Sequence, residues 1–192
     1  MPIDTDMKRT LDIIISFMAL VILSPLLACI SIVIKITSEG STLYWSDRIG
    51  KDNILFKMPK FRTMRIDTPI VASHLLANPD HWVTPSGAFL RKTSLDELPQ
   101  IWSILIGDMS LVGPRPALFN QVDLIRARTA VGVHQLRPGL TGWAQINGRD
   151  EVSIEQKVAL DHYYQQCKSF MLDIKILTKT VIKVFTKENV SH

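Results

Sequence analysis

One uncharged apolar stretch near the N-terminus constrains this chain more than any other feature. Residues 13–34 carry no charged side chain, and as a helix they would extend about 33 Å, which is comparable to the hydrocarbon thickness of a bilayer. The stretch is longer than the core of a secretory signal and lacks a small-residue cleavage site at its end. We therefore expect a membrane segment that is retained in the mature protein.

The centre and flanks of this segment leave two topologies open. Pro25, which follows Ser24, removes a backbone donor, so a kink or break is expected there. Lys8 and Arg9 precede the segment and Lys35 follows it, and cationic flanks favour the cytoplasmic side. A re-entrant hairpin would keep both flanks cytoplasmic, whereas hydropathy alone favours a plain kinked helix that spans the membrane.

The rest of the chain suffices for one catalytic domain. Its 192 residues can bury a single core but leave little room for a second. The net charge of +4 suits anionic partners such as phosphates or acidic lipid. Two cysteines, Cys29 and Cys167, are too few for a disulfide framework and indicate a reducing environment. We expect a membrane segment over residues 1–36 and a catalytic domain over residues 37–192, acting as one unit.

Local patterns predict mostly helices and one hairpin. Residues 43–45 and 54–56 are rich in β-forming side chains and flank a turn at residues 50–53, which predicts a short β-hairpin. Helices are expected from Ser94 to about Gly107, around residues 118–125, and from a capping box of Ser153 and Gln156 towards Gln166. Residues 67–87 are predicted to be mostly loop, with a short helix around residues 74–77.

A basic amphipathic helix is expected near the C-terminus. Lys175, Lys179, Lys183 and Lys187 recur every four residues, opposite a set of apolar positions. Such a stripe suits anionic phospholipid headgroups. A solvated face on a helix packed against the domain core is the alternative interpretation.

Two adjacent carboxylates, Asp96 and Glu97, follow Arg91 and Lys92 at the start of a predicted helix. Their structural interpretation is a helix cap, because Ser94 and Glu97 fit a capping box and the helix dipole favours acidic residues in a first turn. The functional interpretation uses the same physics, since a helix N-terminus keeps a carboxylate ionised and presents donors to a phosphate. An ionised Asp96 can attack phosphorus and hold a metal.

Further candidates lie in loops rich in proline and glycine. Two prolines fix the backbone around Arg115, whose guanidinium can bind a phosphate through two donors, although a rigid turn with a surface arginine fits equally well. Arg137 and Arg149 flank a turn-rich loop whose Trp143 can stack on a base, enter the membrane interface or be buried. Asp161, on the next helix, can support a metal or orient a phosphate, with a solvated position as the default. The sequence contains no P-loop, dinucleotide-binding loop or nucleophile elbow.

In this order, the motifs resemble the bacterial sugar transferase family, the monotopic phosphoglycosyl transferases. The matching stretches cover nearly the whole chain and are residues 23–25, 60–64, 94–100, 107–116, 137–139, 141–149 and 160–161. The resemblance implies an α+β, mostly helical fold with an N-terminal re-entrant helix broken at Ser24-Pro25, a short β-hairpin and interfacial amphipathic helices. It also implies a catalytic domain on the cytoplasmic face of the bacterial inner membrane, against the preference of hydropathy for a spanning helix.

The resemblance further implies transfer of a sugar 1-phosphate from a UDP-sugar to undecaprenyl (polyprenyl) phosphate, an early membrane step of glycoconjugate assembly. UMP would be released and a covalent phosphosugar would form on Asp96, with Glu97 as acid/base partner and Mg²⁺ bound to Asp96. Membrane phospholipid would be a further partner, nucleic acid would not, and a homodimer is compatible with the sequence. The residues expected at the substrate phosphates are Arg62, Arg91, Arg115, Arg137, Arg149 and Asp161.

Two other functions use the same features. A hydrolase of diphosphate-linked lipids would pass the phosphate to water, and its products would distinguish it from a transferase. A non-catalytic membrane-associated scaffold would use the apolar segment and lysine stripe only for anchoring. The combination of Asp96, Glu97 and Arg115 argues against the scaffold.

Overall fold

The computed structural model describes residues 5–68, 79–148 and 153–186, and helices predominate in them. The α-helices are α1 (Thr5–Thr37), α2 (Pro79–Trp82), α3 (Pro85–Thr93), α4 (Ile101–Ile106), α5 (Val122–Ala130), α6 (Trp143–Asn147), α7 (Ile154–Cys167) and α8 (Phe170–Thr186). The strands are β1 (Leu43–Ile49), β2 (Leu55–Phe61), β3 (Ser110–Val112), β4 (Ala117–Leu118) and β5 (Gly139–Thr141). The expected mostly helical fold with a small sheet is confirmed.

The predicted hairpin is confirmed, with longer strands than expected. β1 and β2 pair antiparallel, and Ile49 lies opposite Leu55 next to the turn. Asp52 and Asn53 occupy the turn at φ values of 56° and 60°, a region that Asp and Asn tolerate better than most residues. β4 adds a third strand to the edge of β1. Its second residue, Leu118, lies in the stretch for which the sequence predicted a helix, and α5 begins only at Val122.

A second, two-stranded sheet joins β3 and β5 in parallel. β5 and α6 lie in the stretch that was predicted to be a turn-rich loop. The two backbones approach so closely that a Cβ atom added to Gly139 would lie 2.1 Å from the backbone nitrogen of Gly113. Glycine is therefore required where β5 passes the turn that follows β3.

Helix α1 continues through Pro25 without interruption, so the expected break does not appear as a gap in the helix. Proline has no N–H to donate to the carbonyl of Val21, one turn earlier. The Ser24 hydroxyl donates to that Val21 oxygen at 2.8 Å. The serine thereby supplies the hydrogen bond that the proline cannot, which explains how the pair is accommodated within apolar surroundings.

We expect Ser24→Ala to destabilise the protein by about 1 kcal/mol, because it leaves the Val21 carbonyl without this donor. Ser31→Ala is the matched control. The Ser31 hydroxyl donates to the Leu27 carbonyl at 2.8 Å, but that carbonyl keeps its helical N–H partner, so a change of a few tenths of a kcal/mol is expected. Reversible unfolding in mixed micelles would measure both variants, and equal losses would contradict this role of Ser24.

Helix α1 exposes its apolar middle and packs both ends on the domain. Among the described residues, the stretch Asp6–Thr37 is the one helix long and apolar enough to cross a membrane. Only 11% of its most apolar 18 residues are buried. Ile30 and Ile34 lie in a buried cluster with Phe61 and Leu90. A mostly exposed apolar helix of this length suits lipid rather than a water-soluble core.

The N-terminal turns of α1 make polar contacts deep in the domain. The Lys8 ammonium donates to Asp173 Oδ2 at 2.5 Å, to the Tyr164 hydroxyl at 2.9 Å and to the Val112 carbonyl at 3.0 Å. Asp12 is buried and accepts from the Leu111 backbone N–H at 3.1 Å. These contacts join the membrane-type helix to β3, α7 and α8.

The predicted C-terminal helix is α8, and its lysines do more than face solvent. Ile176, on the lysine-bearing side of the helix, is fully buried, whereas Ile174 and Val181 of the expected apolar side are 40% and 55% exposed. Lys183 donates to the Ile146 carbonyl at 2.7 Å, and the Lys175 ammonium lies 5.6 Å from the ring centroid of Trp143. Lys187 lies outside the described residues, as do the short helix expected around residues 74–77 and Arg149.

The two predicted capping boxes have different outcomes. Ser153 and Gln156 form the expected capping box at the start of α7. The box of Ser94 and Glu97 is wrong, because the Ser94 side chain makes no capping bond. Ser94 has a φ of 56° and ends α3, and a 3-10 helix (Leu95–Gln100) follows before α4 begins. Gly107, with a φ of 102°, ends α4 where expected.

Candidate functional site

The two adjacent carboxylates lie in the 3-10 helix between α3 and α4, packed beside strand β2. Asp96 is buried, with 7% of its surface exposed. Glu97 Oε1 accepts from the Lys60 ammonium at 2.7 Å and from Arg115 Nη2 at 2.9 Å. Lys60, Asp96, Glu97 and Arg115 are called the acidic-pair cluster below. The structure thus brings together three of the expected residues and adds Lys60, which the sequence did not single out.

The charges of this cluster favour an ionised Glu97. Burial alone would raise the pKa of Glu97, but the adjacent Arg115 and Lys60, with their hydrogen bonds, hold it well below its usual range. Burial also lowers the pKa of Lys60, against the attraction of Glu97 and of Asp96. Because the Asp96 carboxylate also attracts the Lys60 ammonium, the two carboxylates share one cationic neighbour.

The low pKa of Glu97 predicts an acid-sensitive stability. The folded-state pKa lies below the unfolded value near 4.5, so the unfolded chain takes up the proton first as the pH falls. The stabilisation by Glu97 is therefore present above about pH 4.5 and lost progressively below it. We expect the stability advantage of the wild type over Glu97→Gln in denaturant titrations to shrink from pH 6 towards about pH 3. The exposed Glu39→Gln is the control, and a pH-independent advantage would contradict the assignment.

The Arg115 side chain projects from a turn whose backbone is bound at three successive carbonyls. The Pro114 carbonyl accepts from the Gly139 N–H at 2.8 Å. The Arg115 carbonyl accepts from Arg128 Nη1 at 2.8 Å, and the Pro116 carbonyl accepts from Arg48 Nη1 at 3.1 Å. The turn is rigid on its own account because of its two prolines. Arg115 is therefore held from several sides while its side chain remains 38% exposed.

Asp161 acts on this turn through Arg128. Asp161 is 1% exposed, and its Oδ2 accepts from Arg128 Nε at 2.9 Å and Nη2 at 2.6 Å. Burial raises the pKa of Asp161, and the Arg128 guanidinium opposes that shift. The structure thus places Asp161 behind the turn, where it is the partner of Arg128. Of this pair, Arg128 is the residue that the sequence analysis missed.

The other expected arginines are bound to loop and helix ends. Arg91 Nε donates to the Thr63 hydroxyl at 3.0 Å. Arg62 Nη2 donates to the Ser38 hydroxyl at 2.8 Å, just after α1. Arg137 Nε donates to the Gly107 carbonyl at 3.1 Å, at the end of α4. Their assignment to substrate phosphates stays a prediction.

The residues present fit a magnesium ion held mainly by substrate. The described residues contain no group of three or more His, Cys, Asp and Glu side chains that could hold a metal by themselves. Mg²⁺ commonly binds one or two carboxylates together with substrate phosphates and waters. The buried Asp96 carboxylate, adjacent to Glu97, provides such a ligand set.

Comparison with known proteins shows the family of this chain. The family model described as bacterial sugar transferase matches residues 3–187. The chain belongs to the bacterial sugar transferase family. The match includes the apolar helix, the acidic-pair cluster and the turn of Arg115.

Several curated proteins are similar to this sugar transferase over most of its length. The UDP-glucose:undecaprenyl-phosphate glucose-1-phosphate transferase of Escherichia coli is 39% identical over 95% of the chain and 41% of its own length. The exopolysaccharide production protein ExoY of Sinorhizobium fredii is 38% identical over 94% of the chain and 86% of its own length. The undecaprenyl-phosphate galactose phosphotransferase of Salmonella typhimurium is 38% identical. The chain spans about two-fifths of the length of the first and third of these relatives.

Proposed function

We propose that this sugar transferase moves a sugar 1-phosphate from a UDP-sugar to a polyprenyl phosphate and releases UMP. The observation that carries the proposal is a buried Asp96 beside an ionised Glu97 that binds Lys60 and Arg115. The relatives named as transferases to undecaprenyl phosphate support the same donor and acceptor classes. An aspartate set among cations suits nucleophilic attack on a phosphate that carries negative charge.

In the proposed first step, a carboxylate oxygen of Asp96 attacks the phosphorus attached to the sugar. The bond from this phosphorus to the bridging oxygen of the diphosphate breaks, and UMP leaves with the bonding electron pair. The sugar phosphate is then joined to Asp96 as an acyl phosphate. Arg115 is exposed enough to contact the reacting phosphate and offset its charge.

In the proposed second step, a phosphate oxygen of the polyprenyl phosphate attacks the same phosphorus. The bond to Asp96 breaks, its carboxylate is restored, and a lipid-linked diphosphosugar forms. Glu97 is the proposed acid/base partner for the acceptor phosphate. Its pKa, held well below the usual range, keeps it ionised without a proton to donate, but also makes it a weak base. Glu97 also holds Lys60 and Arg115 in place through its Oε1 atom.

Mg²⁺ is the proposed cofactor, with Asp96 as its protein ligand. When bound, the ion would supply charge neutralisation for the diphosphate of the donor. Lys60 and Arg115 add two fixed positive charges from the chain itself. Two anionic substrates must approach one carboxylate in this reaction, so these cations reduce the repulsion that would otherwise oppose it.

We also propose that α1 is re-entrant, with both ends on the cytoplasmic face of the inner membrane. Arg9 donates to the carbonyls of Ile104 and Leu105, whereas Ile30 belongs to a cluster that includes Leu98. Both ends of α1 therefore pack on the same domain, which supports the placement of both ends on one face of the membrane.

A labelling experiment tests the topology separately from the chemistry. Cysteine would replace Thr10 before the apolar stretch and Glu39 after it, in a chain whose Cys29 and Cys167 are changed to serine. In inverted and right-side-out membrane vesicles, both new thiols should react with an impermeant maleimide from the cytoplasmic side alone. Labelling of the two positions from opposite sides would mean a spanning helix.

The reaction is tested with purified protein in detergent, Mg²⁺, a short polyprenyl phosphate and a panel of UDP-sugars. We expect UMP and a lipid-linked diphosphosugar in equal amounts with at least one donor. Release of free sugar phosphate without the lipid product would indicate a hydrolase. No UMP with any donor would contradict the proposed function, and the panel also identifies the sugar.

A further inference from the structure

We propose that a basic cavity at the N-terminal end of α1 binds a phosphate group at a site separate from the acidic-pair cluster. The cavity lies between α1, the two-stranded sheet and the start of the loop before α8. None of its lining residues belongs to the acidic-pair cluster. The proposal assigns Arg137, which was expected at the substrate phosphates, to this separate site, which does not depend on the reaction proposed above. The lining side chains used in the argument are Lys8, Arg9, Lys51, Ser110, Arg137 and Lys168.

The charge of the lining is strongly one-sided. Five of its residues are cationic, and Asp12 is the acidic residue among them. Asp12 accepts from the Leu111 N–H. Lys8 is already compensated by Asp173. Asp12 attracts Arg9 and Asp52 lies 3.9 Å from Lys51, but the five cations still outnumber these carboxylates. The cavity therefore keeps a positive potential, which favours an anion.

Two of these cations are fixed close together by backbone carbonyls. Arg9 donates to Ile104 O at 2.6 Å and Leu105 O at 2.8 Å, and Arg137 donates to Gly107 O at 3.1 Å. Both guanidiniums thus bind the end of the same short helix, and their positive charges repel each other. An anion placed between them would relieve this repulsion and could accept from donors that are already oriented.

Ser110 supplies an independent indication of a ligand. Its residue is 2% exposed, its hydroxyl has no hydrogen-bond partner, and it lines the cavity. A buried hydroxyl without a partner costs free energy unless a ligand or water satisfies it. After a rotation about its Cα–Cβ bond, this hydroxyl could donate to a phosphate oxygen in the cavity.

The position of the cavity leaves two sources for this phosphate group. Lys8 and Arg9 immediately precede the apolar stretch of α1, which places them at headgroup depth if α1 enters a bilayer. An anionic phospholipid headgroup and a soluble phosphate or diphosphate have the same recognition chemistry here. The experiment separates them.

The full chain would be placed in phosphatidylcholine nanodiscs, and its thermal unfolding measured with increasing inorganic pyrophosphate. A second set of nanodiscs would contain phosphatidylglycerol instead, without pyrophosphate. The test variant is Lys51→Glu/Lys168→Glu, which reverses two exposed charges at the cavity. The matched control is Lys57→Glu, whose side chain is 70% exposed outside the cavity. Ser110→Ala removes the unpartnered hydroxyl without removing any hydrogen bond of the protein.

We expect one of the two additions to raise the Tm of the wild type and of Lys57→Glu, and about tenfold weaker binding to the double variant. Ser110→Ala should keep the wild-type Tm without ligand but show a smaller rise with it. A rise with pyrophosphate identifies a soluble phosphate, and a rise only with phosphatidylglycerol identifies a lipid headgroup. Equal rises in the double variant and the control, or no rise with either addition, would overturn the proposal.

Discussion

Asp96→Asn should reduce UMP release from a UDP-sugar by about 10⁴-fold or more, because an amide cannot form the covalent phosphosugar. The change keeps the size and most of the packing of the side chain, so the protein should remain folded. Asp123→Asn is the matched control, since Asp123 is an exposed carboxylate in the first turn of α5. It should retain wild-type UMP release.

A chemical trap distinguishes a nucleophile from a metal ligand at this position. Wild-type protein quenched in acid after a brief exposure to radiolabelled UDP-sugar should carry label, released by hydroxylamine as expected for an acyl phosphate. Asp96→Asn should carry none at any Mg²⁺ concentration. UMP release from Asp96→Asn at the wild-type rate, or recovery of its activity by excess Mg²⁺, would refute the nucleophile.

Arg128→Leu should lower the stability of the protein by about 3–5 kcal/mol, because it leaves the buried Asp161 carboxylate without its cation. The same change removes the donor to the Arg115 carbonyl. We therefore expect the surviving folded protein to lose most of its UMP release as well, through misplacement of the Arg115 guanidinium. Urea titration and UMP assays on the same preparations measure the two effects.

The double variant Arg128→Leu/Asp161→Leu separates stability from positioning. Replacing both partners of a buried ion pair by apolar groups is often nearly neutral for stability, so most of the lost free energy of unfolding should return. UMP release should stay low, because the Arg115 carbonyl still lacks its donor. Recovery of activity together with stability would show that the Arg128–Asp161 pair only stabilises the fold.

The sequence predicts those elements that depend on residues close together in the chain. The capping box of Ser153 and Gln156 needs only neighbouring side chains, and it is present as expected. Gly107 likewise ends α4 through its own positive φ. β4 and β5 have only two and three residues, too few for an alternating pattern to distinguish a strand from a loop.

The failure of the cap at Ser94 has a physical cause. Glu97 can bond to the backbone of Ser94 or reach the two cations of β2 and the rigid turn, and a charged partner gives the stronger hydrogen bond. In the structure Glu97 binds Lys60 and Arg115. Local propensity therefore loses to a tertiary ion pair, as is common at functional sites.

The residues that the sequence missed are those whose partners are distant. Lys60 contacts Glu97 across 37 positions, and Arg128 contacts Asp161 across 33. No spacing rule links such pairs before the fold is known. Asp161 was singled out as a candidate for a metal or phosphate, whereas the structure shows it bound to Arg128. A buried carboxylate with a guanidinium partner could have been anticipated only from the three-dimensional contact.

The contacts of Lys8 with Asp173 and Tyr164 impose an order on the assembly of this protein. The ammonium and its carboxylate partner are 165 positions apart, so Lys8 leaves the ribosome long before Asp173 is synthesised. If α1 enters lipid as it is synthesised, it does so while the groups that will fix its N-terminus do not yet exist. The last helices of the chain would then pack on a helix that is already in the membrane, and tertiary folding would be completed at the bilayer surface. A version shortened to the part after α1 would lack this anchor and leave Asp173 buried without its cation.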